Sequence, residues 1–159
     1  MTTRRIKLVL IFVLAFFVVA LISSQKANPY STLTFGLKRI QEKVFLGIKS
    51  DPRSRLDYMS SMLDNRLEEL SNSVKDKKYD YVLPSASRYS TLAGEITDSI
   101  ITNNLTDKID LIKNQFATHA KILQDLYTIY PKNIDSVEYK YIEDDINYLK
   151  LYLDKLNSL

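Results

Sequence analysis

Hydrophobic residues follow two different patterns along this chain. From Leu8 to Ile22 they are continuous: LVLIFVLAFFVVALI is fifteen residues without a polar side chain. After residue 32 they recur every three or four positions, the spacing that lines one face of a helix. The first pattern predicts a membrane-directed helix. Ile6, Ser23 and Ser24 extend the tolerable span to nineteen residues. At about 1.5 Å per residue this covers roughly the 30 Å hydrocarbon core, with Lys7 snorkelling to the headgroups.

The second pattern predicts five helices. The first runs from about Leu33 to Lys49, with Leu37, Ile40, Val44 and Ile48 on one face. Ser50-Asp51-Pro52 ends it, with Asp51 as N-cap of the next helix and Pro52 in its tolerant first turn. The second helix carries Leu56, Met59, Leu63, Leu67, Leu70 and Val74 and fades in the charged stretch Lys75 to Lys78. The segment YDYVL reads equally as loop or as a short extended piece. A third helix is expected from Pro84 or Ser85 to about Asn103, with Tyr89, Leu92, Ile96 and Ile100 inward. The fourth is expected to follow Thr106 as N-cap, with the seam Ile109, Ile112, Phe116, His119, Leu123, Leu126 and Tyr130. Pro131 ends it. The fifth, opened by a capping box of Asp135 and Glu138, carries Ile142, Ile146, Leu149, Leu153 and Leu156.

A single apolar stripe leaves each helix unstable alone, and short connections make sequential helices antiparallel neighbours. The expected fold is therefore all-α: one N-terminal transmembrane helix followed by an antiparallel bundle of about five helices, or four plus one. Residues 1–24 form the membrane segment, 25–32 a linker interrupted by Pro29, and 33–159 the helical domain. Its first two helices are expected to form a hairpin about Ser50-Asp51-Pro52. That hairpin sets Val44, Ile40 and Leu37 against Leu56, Met59, Leu63 and Leu67, and leaves Arg53, Asp57 and Glu68 solvated. Only three Gly and four Pro in 159 residues agree with long helices and few turns.

Charge sharpens the picture of the N-terminus. Three of the 22 basic residues, Arg4, Arg5 and Lys7, precede the apolar run, and all 19 acids follow it. The remainder is formally neutral, with 19 basic against 19 acidic groups, so a nucleic-acid partner is not expected. The basic flank should stay in the cytoplasm, placing everything after Ser24 outside the membrane. The stretch ALISSQKA offers Ser24 with Ile22 two before it, or Ala27 with Gln25. Neither matches the small-x-small pattern of a cleavage site, so a retained signal anchor is expected. A secreted domain released by signal peptidase, binding a ligand or envelope polymer, is the alternative.

Catalytic chemistry is not expected, and neither is a cofactor. There is no Cys, and His119 is the one His. As a zinc ligand it lacks partners, whereas on a helix seam a Tyr or acid across the bundle satisfies it. Glu143-Asp144-Asp145 points around the helix at about 100° per residue, so the three cannot converge on one ion, and a solvated face is expected. No nucleophile elbow or phosphate-cradling glycine loop occurs. Two features suggest contact surfaces. Lys38 to Arg55 holds six basic and two acidic groups, and Lys38, Arg39 and Lys43 are candidates for lipid phosphate or an acidic wall polymer. Nine of eleven Tyr lie at or after Tyr79. Of these, Tyr141, Tyr148 and Tyr152 flank the last helix's seam and suit a protein or glycan partner, or the bundle's own edge.

Residues 29–70 carry one further signal. Pro29, Tyr30, Phe35, Leu37-Lys38-Arg39, Glu42-Lys43 and Arg66-Leu67-x-Glu69-Leu70 resemble a bacterial family catalogued as domain of unknown function 5667. Its members commonly follow a signal or anchor segment. The resemblance implies an extracytoplasmic helical domain in a bacterium, and it implies no activity. The function expected from the whole sequence is a membrane-anchored, extracytoplasmic interaction or scaffold module with a protein or envelope-polymer partner.

Overall fold

A computed structural model describes residues 32–132 and 137–159, with side chains described from residue 38 onward. The expected membrane segment, most of the linker, the Leu37 side chain and Asp135 lie outside the described residues. Among the described residues the chain is all-helical, and no helix is long and apolar enough to cross a membrane. The helices are α1 (Thr32–Ile48), α2 (Pro52–Lys75), α3 (Val82–Thr102), α4 (Ile109–Ile129) and α5 (Tyr139–Asn157). Short 3-10 turns at Tyr79–Tyr81 and Thr106–Lys108 lead into α3 and α4.

Two compact units divide the chain, residues 1–48 and residues 49–159. In the first, four described apolar residues of α1 are exposed: Ile40 at 62%, Val44 at 52%, and Phe45 and Ile48 as well. Among the described side chains of this helix, Lys38 and Glu42 are buried. The burial expected of Ile40 and Val44 in a hairpin with α2 is therefore not found, although the break about Ser50 to Pro52 is. Asp51 caps α2 as expected, its carboxylate accepting from the Ser54 backbone N–H and hydroxyl, each at 2.8 Å. These hydrogen bonds hold its carboxyl below the usual range.

The second unit is a four-helix bundle. Helix α2 packs along α3, α3 along α5 and α5 along α4, while α2 and α4 approach more loosely. Pairings of Asp57 with Lys108 (just before α4), Ser60 with Gln115 and Asp64 with His119 advance together along both segments, so α2 and α4 run parallel. Tyr152 lies against Ser90 and Gly94 while Asp145 faces Ser90, so α3 and α5 are likewise parallel. The order around the bundle is α2, α3, α5, α4. Consecutive α3 and α4 thus sit across the bundle from one another, which departs from the expectation that every sequential pair is a neighbour. On α2, Leu56, Met59, Leu63 and Leu67 are buried, and Arg53, Asp57 and Glu68 are exposed as expected.

Helix ends explain the remaining differences. Pro84 falls in the first turn of α3, where its missing N–H costs nothing. The helix therefore starts two residues earlier, at Val82, which is fully buried, and YDY is a 3-10 turn instead of a loop or strand. Asn104 takes a left-handed conformation after α3 (φ 50°). Leu105 N–H returns to Ile100 C=O and Asn104 N–H to Ile101 C=O. This closes the helix with buried Leu105 as its apolar clasp. Lys77 repeats the motif after α2 with φ 57°. Thr106 opens a 3-10 turn and makes no side-chain cap for α4. Glu138 immediately precedes α5 instead of standing inside its first turn, so the expected capping register is not formed.

Candidate functional site: a tyrosine-lined cleft

The parallel pair α3 and α5 is asymmetric in side-chain size. On α3, Ala86, Ser87, Ser90, Thr91 and Gly94 recur at helical spacing and present one face of small groups. Facing it, α5 presents Tyr141, Asp144, Asp145, Tyr148 and Tyr152. Small groups opposite large rings leave a cleft of about 440 Å³, with Leu83 also on its wall. Gly94 makes one of these contacts possible: a Cβ there would lie 2.9 Å from the Tyr152 hydroxyl and 3.3 Å from the ring carbon that bears it.

The rings are held from several sides. Tyr148 stacks on Tyr152 with centroids 6.2 Å apart and planes 16° from parallel. Tyr152 also meets Phe116 of α4 at 6.4 Å and reaches the Ser90 carbonyl at 3.5 Å. Burial raises the Tyr152 phenol above its ordinary value, with Tyr148, Asp98 and Asp145 adding to the rise. Tyr148 remains 46% exposed and Tyr141 is half-buried, so both offer ring surface at the mouth. Lys155 holds its ammonium 5.8 Å from the Tyr152 centroid, outside the residues that line the cleft.

Asp145 is the unexpected member. The expected solvated acidic face is correct for Glu143 and Asp144 but not for Asp145, which is 2% exposed. The reason lies in its register. Asp145 is three residues after Ile142 and four before Leu149, both fully buried, so the bundle seam passes through it. Its Oδ2 is enclosed and has no hydrogen-bond partner. Burial pushes the carboxyl up to about 8; the Ser90 hydroxyl opposes the rise and Asp144 adds to it. At neutral pH the side chain is therefore mainly a protonated acid on the wall of the cleft.

A second polar seam runs between α2 and α4 and reaches Tyr89 of α3. His119 is buried, with Nε2 2.9 Å from Asp64 and Nδ1 3.1 Å from the Tyr89 hydroxyl. The satisfied seam histidine expected from the sequence is thus realised with a Tyr and an acid together. A neutral imidazole fits both contacts, donating from Nε2 to the carboxylate and accepting at Nδ1. Burial lowers its pKa, with Asp64 opposing. Gln115 accepts from the Ser60 hydroxyl at 2.8 Å and donates to Asp64, closing the network. Within α2, Arg66 and Glu69 form a buried pair at 2.9 Å, with Arg88 of α3 at 3.9 Å from the same carboxylate.

Of the residues that the sequence nominated, Tyr141, Tyr148 and Tyr152 are brought together on the cleft. Lys38, Arg39 and Lys43 belong to α1 in the other unit, where Arg39 and Lys43 are exposed and Lys38 is buried. Other tyrosines are structural: Tyr79, Tyr130, Tyr139 and Tyr127 form a ring cluster with centroid spacings from 4.9 to 6.3 Å. Among the described residues no group of three or more potential ligating side chains is placed to hold a metal.

Comparison with known proteins gives no match: no family model, curated protein or solved structure corresponds to the chain. The resemblance at residues 29–70 therefore rests on its motifs alone.

Proposed function

We propose that this chain is a membrane-anchored, extracytoplasmic interaction module without catalytic activity, and that the α3–α5 cleft is its binding surface. The observation that carries the reading is the convergence of Tyr141, Tyr148 and Tyr152 with a buried, half-satisfied carboxyl on one concave face. A concave face where rings, hydroxyls and a perturbed acid converge has the make-up of a candidate ligand site. The cleft's polar groups are hydroxyls and carboxyls, with no histidine, lysine or cysteine among its lining residues. Attachment is supported by the uninterrupted run Leu8 to Ile22 and its basic flank. The motifs at residues 29–70 point to the same compartment.

Alkaline extraction of membranes, protease treatment of spheroplasts and a photo-crosslinker at Tyr148 test the reading together. The full-length chain should stay in the membrane, its helical domain should be cleaved from outside, and crosslinks should form from Tyr148. A soluble product lacking roughly the first 24 to 27 residues would favour the secreted alternative. Protection of the domain in intact spheroplasts would reject the orientation, and an absence of crosslinks from Tyr148 would reject the cleft as the binding surface.

A further inference from the structure

We propose that the cleft between α3 and α5 binds an alkylammonium group, with the charge held by Asp145 and Asp144 and the alkyl part against Tyr141, Tyr148 and Tyr152. The proposal rests on reading this cleft as the module's binding surface and names the chemistry that surface selects. Two carboxyl groups and three phenol rings line the space, and no basic side chain is among its lining residues. Aromatic faces attract cations through the ring quadrupole, and desolvation strengthens that attraction. Leu83, Ala86 and the stems of the tyrosines supply the apolar wall an alkyl chain needs. A volume of about 440 Å³ is large enough for a short amine or one lysine side chain.

Asp145 provides the independent pointer. A carboxyl that is 98% removed from solvent, with one oxygen lacking any partner, is costly unless something meets it. That oxygen is enclosed, so an ammonium meets it only once the side chains over it shift; it then supplies both the missing donor and the countercharge. The groups that face this carboxyl are Ser90 and Tyr89 from α3, and Asp144 and Tyr152 from its own helix; on α4 His119 stands behind Tyr89, joined in turn to Asp64 of α2. None of these is a cation at neutral pH. Binding therefore carries a balanced proton step: the bound ammonium keeps its protons, the Asp145 O–H bond breaks, and one proton passes to solvent. The resulting carboxylate pairs with the cation.

Calorimetric titration of the full-length protein in nonionic detergent tests this, using n-butylammonium, Nα-acetyl-lysine amide, n-butanol and an N-acetylglucosamine trisaccharide as probes. At least one ammonium should saturate the site with Kd on the order of 1 mM, the range open to so small a ligand. Its affinity should rise about tenfold per pH unit from pH 5 to 7 and level off near pH 8. Buffers of different ionisation enthalpy should report close to one proton released per ligand at pH 6. Asp145→Asn should abolish the pH slope and weaken binding at pH 8 by about tenfold or more. Tyr148→Ala, at an exposed ring, should weaken it roughly three- to tenfold without shifting the unfolding midpoint, so the test survives if the Asn variant folds poorly. Tighter binding of butylammonium points to a free amine and tighter binding of the lysine derivative to a peptide or polymer; either supports the proposal. Binding without proton release, an unchanged pH profile in Asp145→Asn, or butanol matching butylammonium would overturn it. Saccharide binding that weakens above pH 8 would overturn the cation while leaving the interaction module intact. Absence of any binding, together with absence of crosslinks from Tyr148, would remove both readings.

Discussion

Helices α1 and α5 carry apolar residues at the same three-and-four spacing, yet they use them in opposite ways. In α5, Ile142, Ile146, Leu149 and Leu156 are buried and the charged residues Lys140, Glu143, Asp144 and Lys150 are exposed. In α1, Ile40, Val44 and Ile48 are exposed while Lys38 and Glu42 are buried. Periodicity specifies that a segment is helical and which residues share a face. It does not specify what covers that face. Helix α5 is flanked by α3 and α4, whose own seams need covering, so its stripe is filled from both sides. Helix α1 belongs to a different compact unit, with its stripe turned to solvent.

The largest effect should come from the bundle seam. Leu63 is fully buried on α2, and Leu63→Ala should cost on the order of 2–5 kcal/mol, through lost transfer energy and the cavity left behind. Urea unfolding of the full-length chain, followed by tyrosine fluorescence and far-ultraviolet circular dichroism, measures it. Glu68→Ala, one residue from Leu67 on the solvated side, serves as the control, at about 0.5 kcal/mol or less. Equal sensitivity of the two sites would mean that α2 does not present this seam to α3.

Much of this bundle was legible because each seam is long and interrupted by definite breaks. Leu56 to Val74, Tyr89 to Ile100 and Ile112 to Tyr130 are buried in the register their spacing dictates. The breaks at Asp51-Pro52, Asn103-Asn104 and Pro131 are also where helices end, since Asn tolerates the left-handed turn and Pro cannot continue a ladder. What the spacing could not reveal is the spatial order, because an α3-to-α4 connection six residues long, 103–108, spans a diagonal as readily as an edge. The cleft was half visible. Its tyrosines stood out as a stripe, but the small groups of α3 opposite them look unremarkable until the two helices are known to be parallel neighbours. Asp145 was hidden by its own neighbours. Read as part of Glu143-Asp144-Asp145 it belongs to a charged run, and read as Ile142 plus three it belongs to the core; the second reading was available and is the one the packing selects.

That buried acid ties the stability of the bundle to pH through α5. In the unfolded chain the Asp145 carboxyl ionises near 3.8, and in the folded protein near 8. Between those values the folded state holds one proton more, so this group's contribution is complete below about pH 4 and is lost as pH rises to about 8. The slope should approach, and not exceed, about 1.4 kcal/mol per pH unit, the value for one proton. His119 acts in the opposite sense: its folded value lies below 6.5, so the unfolded state takes up the proton first and stability falls as pH drops below about 6.5. Denaturant midpoints of wild type and Asp145→Asn, compared from pH 4.5 to 8.5, separate the two. Wild type should lose stability relative to the variant as pH rises, and the difference should flatten above about pH 8. Parallel curves would show that Asp145 ionises as an ordinary surface acid, and the contrast between α1 and α5 would lose its sharpest element.

The smallest expected effect falls on α1 and tests the other side of the contrast. Ile40 is 62% exposed, so truncation to Ala removes little buried surface and leaves no enclosed cavity. Ala is also the better helix former by a few tenths of a kcal/mol, because Ile loses side-chain freedom against the preceding turn. The two terms oppose each other, and Ile40→Ala should change stability by about 0.5 kcal/mol or less, in either direction. Unfolding of the bundle alone would miss α1, so the measurement is backbone amide exchange at Gln41 to Leu46 in the full-length protein, compared with wild type under the same conditions. Exchange altered less than about threefold is the expected result. An increase of thirtyfold or more, corresponding to about 2 kcal/mol, would show that Ile40 is held in a packed interface. The exposed stripe of α1 would then be as fully employed as the seam of α5.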